Sequence, residues 1–116
     1  MSISPFIITK SDKGYLVTWP SDKFVPIHTR SGFENLLKFL FETCKIDIAR
    51  LMVQRLDSWE ILYIDSISFY QNYQGHLVDA ISKRYVVMGV VAKTEEEAIS
   101  IRDQLDKQLV WKILKD

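Results

Sequence analysis

The chain has 116 residues, 47% apolar and 26% charged, with 15 basic side chains against 15 acidic ones and a formal net charge of zero. This is the length and composition of one globular domain, expected over residues 1–116, with a core that needs neither disulfides nor metal. The even charge argues against a protein whose main work is gripping phosphate backbones, and it removes the self-repulsion that keeps strongly charged proteins apart.

Cys44 is the single cysteine, so no internal disulfide can form. Met1-Ser2-Ile3-Ser4-Pro5 has neither a basic start nor a long apolar run and does not read as a secretory signal. The longest apolar runs, such as Tyr85–Ala92, are far shorter than the roughly 20 residues that span a bilayer. The expected compartment is the reducing cytoplasm, with no membrane partner.

Pro5–Lys10 reads as a strand through Phe6, Ile7, Ile8 and Thr9. Ser11-Asp12-Lys13-Gly14 is a turn, and Tyr15–Trp19 resumes as a strand, which makes a hairpin. A second turn at Pro20-Ser21-Asp22 leads to a third strand, Phe24–Thr29, where Pro26 suggests an edge or a bulge. From Ser31 to Lys45 the apolar residues Phe33, Leu36, Leu37, Leu40, Phe41 and Cys44 fall on one helical face. Ser31 and Glu34 have the spacing of a capping box.

Ile46–Leu56 fits a helix capped by Asp47, through Ile48, Leu51, Met52 and Leu56, and it also fits a strand turning at Asp57-Ser58. The spacing favours the helix. Trp59–Ile64 is a strand. Asp65–Gly75 is polar and aromatic and fits loop, helix or extended edge, whereas Leu77, Ala80 and Ile81 predict a short helix over His76–Lys83. Tyr85–Ala92 is apolar on both faces apart from Gly89, which marks a central strand or an interface. A second capping box, Thr94 to Glu97, opens a helix whose buried stripe is Ala98, Ile101, Leu105 and Leu109. Leu109–Leu114 either continues that helix or re-enters the sheet with Leu109, Trp111 and Ile113 on one face.

These elements predict an α+β fold. It is a mainly antiparallel sheet of about five strands, packed as a two-layer sandwich by two main helices at about 31–45 and 94–109, with one or two short extra helices. The two strand-then-capped-helix units share local chemistry without enough identity to indicate duplication.

Motifs for chemistry are scarce. There is no G-x-G-x-x-G, no P-loop and no H-E-x-x-H, so no cofactor is implied. One cysteine and two histidines cannot complete a structural zinc site without carboxylates. Cys44 with His28 or His76 is the one thiol–imidazole pair that can be drawn, but Cys44 lies on an apolar helical face, where it acts as a small hydrophobe. Asp57, Glu60 and Asp65 suit turn and surface positions better than acid–base work. The glutamates of Thr94–Glu97 suit a helix start better than a metal.

The expected role is therefore a non-enzymatic protein-binding or regulatory module that self-associates, with a homodimer as its simplest form. Tyr70, Asn72, Tyr73 and His76 combine amphipathic rings with adaptable hydrogen bonding and form the candidate binding surface. Val91, Trp111 and Ile113 are the candidate self-association residues, because their segments are more apolar than a small monomer readily covers. The alternative is a small nucleic-acid-binding protein using a sheet surface and a local basic patch. Arg84–Gln104, with Lys93-Thr94-Glu95-Glu96-Glu97-Ala98 at its junction, resembles the strand-then-helix end of small three-stranded DNA-binding modules. The balanced charge weighs against that alternative.

Overall fold

The computed structural model describes residues 4–27 and 30–107, with side-chain detail at 30–31 and 73–79 outside it. The strands are β1 (Ile7–Ser11), β2 (Gly14–Thr18), β3 (Val25–Pro26), β4 (Ile48–Arg55), β5 (Ser58–Asp65) and β6 (Val86–Ala92). The helices are α1 (Arg30–Lys38), α2 (Ser66–Lys83) and α3 (Glu95–Lys107). All strand pairings are antiparallel, in the order β1-β2-β6-β4-β5, with β3 continuing along β6 beyond β2. The α+β sandwich with its two layers is as expected, but α2 makes a third main helix.

The register sorts the side chains. Val17, Val90, Leu51 and Leu62 lie in one cross-strand row, and Ala92, Ala49 and Ile64 share their face. These residues form one core with Phe33, Leu36, Leu37 and Leu40 of the first helical segment, Phe69 and Ala80 of α2, and Ala98, Ile101 and Leu105 of α3. The opposite face carries the row Ile7, Thr18, Gly89, Met52 and Ile61. On that face Met52 and Val91, near the centre of the sheet, are buried, and Ile7 at the β1 edge is 63% exposed.

β6 accepts partners on both sides because Gly89 has no side chain. A Cβ there would come within 2.2 Å of the Val17 carbonyl oxygen and 3.1 Å of Met52 Cε. The pairs Met52–Gly89 and Val53–Val87 leave Met88 as an extra residue in β6, a β-bulge. Trp19 pins that bulge: its backbone N–H donates to the Met88 carbonyl at 3.2 Å and its indole Nε1 to the Val87 carbonyl at 3.2 Å.

Four expectations are corrected. Ile46–Leu56 is strand β4, not a helix. Its Leu51, Met52 and Val53 are consecutive and all buried, because a strand in mid-sheet packs on both faces while a helix would turn one of them outward. The helix expected over 31–45 ends as α-helix at Lys38 and widens into a π-turn over Phe39–Thr43. There the Cys44 N–H bonds the Phe39 carbonyl at 3.1 Å, and the wider turn lets Phe39, Leu40 and Phe41 all reach the interior. The third strand shrinks to Val25–Pro26 after a 3₁₀ turn at Ser21–Lys23, since Pro26 has no N–H to carry a ladder on.

Asp65–Gly75, open between loop, helix and edge, takes the helical alternative and forms the first part of α2. Asp65 caps it, its carboxylate accepting from the Ser68 N–H at 3.0 Å, and the helix kinks at Asn72 (φ −146°, ψ 50°) before the stretch expected to be helical. Both capping boxes also differ. α1 begins at Arg30, so Ser31 sits within the first turn. At α3 the Thr94 hydroxyl accepts from the Glu97 N–H at 3.1 Å as expected, but Glu97 reaches back to the Lys93 N–H, at 3.2 Å. Leu109–Leu114 lies outside the described residues.

Candidate functional site

Two regions compete as the working surface. The first is an open cleft of about 660 Å³ where the π-turn meets the start of α2, lined by Phe41, Glu42, Lys45, Ile46, Asp47, Ser66 and Tyr70. Phe69 and Tyr70 pack edge to face, with centroids 5.0 Å apart, and each tilts against Phe41. The Tyr70 hydroxyl donates to Glu42 Oε2 at 2.6 Å, and that bond pushes its phenol pKa up to about 12. Tyr70 is therefore a neutral donor already committed to a carboxylate.

Of the expected binding surface, Tyr70 and Asn72 are exposed on α2 on the N-terminal side of the kink or at it. The side chains of Tyr73 and His76 lie outside the described residues. His28, Trp111 and Ile113 also lie outside them. Val91 is 2% exposed, in register with Leu16, and sits within the sheet.

Each described group weighed for catalysis has a setting of its own. Burial pushes the Cys44 thiol up to about 12, and the Glu97 carboxylate adds to the shift, so the thiolate is suppressed. Glu97 also faces Arg50, whose Nη2 lies 3.6 Å from its Oε1. Glu60 accepts from the Tyr85 hydroxyl, which raises the Tyr85 pKa. Asp65 is the α2 cap and Asp57 sits exposed in the β4–β5 loop. Among the described residues no three His, Cys, Asp or Glu side chains converge as metal ligands. No helix among them is long and apolar enough to cross a membrane.

The second region is the outer face of the sheet, which ends in β5. Trp59 is 45% exposed and Tyr63 63%, with Ile61 between them on the same face, and Ile7 is 63% exposed at the far edge. Gln54 lies beside Trp59 and Arg50 beside Tyr63. The sequence carries a signal for this region: Trp59, Ile61 and Tyr63 alternate with residues that turn inward. That alternation identifies the strand, but only the register shows that these residues lie on the face opposite the helix-packed core.

Comparison of the chain with known protein families, characterised proteins and solved structures finds no match.

Proposed function

We propose that this chain is a non-enzymatic, cytoplasmic protein-binding module that self-associates. The observation that carries the reading is the outer sheet face, with Trp59, Tyr63 and Ile7 exposed on its edge strands. Exposed aromatic groups on a rigid sheet are the usual anchors of protein interfaces. The zero net charge offers no long-range repulsion between copies. The non-enzymatic part is supported by the protonated Cys44 and by Glu60 and Asp65, which are each engaged in holding the fold. A partner other than a second copy would meet exposed Tyr70 and Asn72 on α2.

Sedimentation velocity over a wide concentration range tests the reading. A monomer–dimer equilibrium is expected, with Trp59→Ser weakening it about tenfold or more. A species that stays monomeric at every concentration overturns it.

A further inference from the structure

We propose that two copies of this chain pair β5 with β5, antiparallel about a two-fold axis at Ile61, so that their sheets become one; this rests on the self-association reading above. Among the described residues the sheet order ends at β5, an eight-residue edge strand.

The hydrogen-bond phase of β5 decides which groups it offers. The Ser66 N–H donates to the Asp47 carbonyl at 2.8 Å, one step beyond the Ile48–Asp65 pair. Antiparallel pairs alternate between bonded and non-bonded, so Ile64, Leu62, Glu60 and Ser58 turn their backbone groups towards β4. Trp59, Ile61 and Tyr63 therefore turn N–H and C=O outward. Their side chains lie on the outer face, opposite the helix-packed core.

Exposed edges are usually blunted by shortness, lysine, proline or a bulge. β1 at the other edge has five residues and carries Lys10. β5 has none of these devices. Its two charged residues are both occupied, Glu60 by Tyr85 and Asp65 as the α2 cap.

The strand is also complementary to itself. With Ile61 opposite Ile61 of the second copy, Trp59 falls opposite Tyr63 of that copy, twice by symmetry. Every outward-facing backbone group of these residues then meets another. Cross-strand aromatic pairs of this kind favour the register. A two-residue shift one way sets Glu60 against Glu60, and the other way sets Trp59 against Asp65.

Ile61→Pro is the test, because it deletes an outward N–H and leaves the β4 ladder intact, a change that edge strands tolerate. The expected result is loss of the dimer, at least a hundredfold weaker in sedimentation, with an unchanged circular dichroism spectrum. Amide exchange of the native chain supplies a second measurement. The Trp59, Ile61 and Tyr63 amides should exchange at least about tenfold more slowly at dimer-forming concentrations than in the monomer. A dimer whose edge amides exchange at the monomer rate, or that survives Ile61→Pro, overturns edge pairing and leaves self-association through the sheet face standing. Absence of any dimer overturns both.

Discussion

Two hairpins flank β6, and they are closed in opposite ways. β1–β2 turns through Asp12-Lys13 and closes at Gly14, whose φ of 122° suits only glycine. β4–β5 turns through Leu56-Asp57, with Leu56 in the left-handed region at φ 57° and its side chain 84% exposed. That conformation costs a branched residue about 1–2 kcal/mol. The first hairpin is specified by its own turn. The second is imposed by its surroundings: β4 is paired along its length with β5 and again with β6, and slipping it by one residue would turn Leu51 and Val53 out of the core. A turn that fits poorly survives where the strands it joins are held from elsewhere.

The strongest way to break both hairpins is at the residue where they meet. Gly89 pairs with Thr18 of the first and Met52 of the second. Gly89→Val drives carbon into the Val17 carbonyl and should cost about 3 kcal/mol or more, read as a fall in the denaturation midpoint. Gly14→Ala should break the first hairpin alone. Its Cβ would lie 2.4 Å from the Ala92 carbonyl oxygen at a backbone angle alanine avoids, for a loss of about 1–3 kcal/mol. Amide exchange should quicken most across the β1–β2 pairs and little across β4–β5. Equal quickening in both would mean that the hairpins are not separately specified.

Leu56→Gly reverses the sign. Relief of the left-handed strain outweighs the extra freedom of the unfolded glycine, so the second hairpin should gain roughly 0.5–1 kcal/mol in denaturant titration. A loss there would mean that the Leu56 side chain supports the fold from its exposed position.

The same contrast explains what could be read from the residues. The first hairpin was legible because Ser11-Asp12-Lys13-Gly14 is turn chemistry, and the helical face through Phe33, Leu37 and Leu40 was legible because each of those residues is buried. β4 was not legible: its turn offers a leucine where glycine or asparagine would mark a hairpin, and a strand packed on both faces loses its alternation. The start of α2 was hidden because Asn72 breaks the periodicity. Of the candidate site, the amphipathic character of Tyr70 was legible and its partner was not, since Glu42 lies 28 residues away in sequence. Trp59 and Tyr63 were legible as strand residues. Their exposure follows from the place of β5 at the end of the strand order, which no local pattern states.

The smallest expected effect concerns how the second hairpin is clamped. Glu42 lies in the π-turn before β4 and Tyr70 in α2 after β5, so their hydrogen bond joins the two segments that bracket this hairpin. At neutral pH the bond is exposed, and Tyr70→Phe should change stability by no more than about 0.5 kcal/mol. Its pH dependence is more telling. The folded-state pKa is raised from 10.0 to about 12, so the contribution is whole below pH 10 and is lost as pH rises towards 12. Ultraviolet titration of the native chain should show a tyrosine that ionises late, and Tyr70→Phe should remove it. If the late step persists in that variant, it belongs to Tyr85, also raised by a carboxylate, and Tyr70 does not hold the clamp.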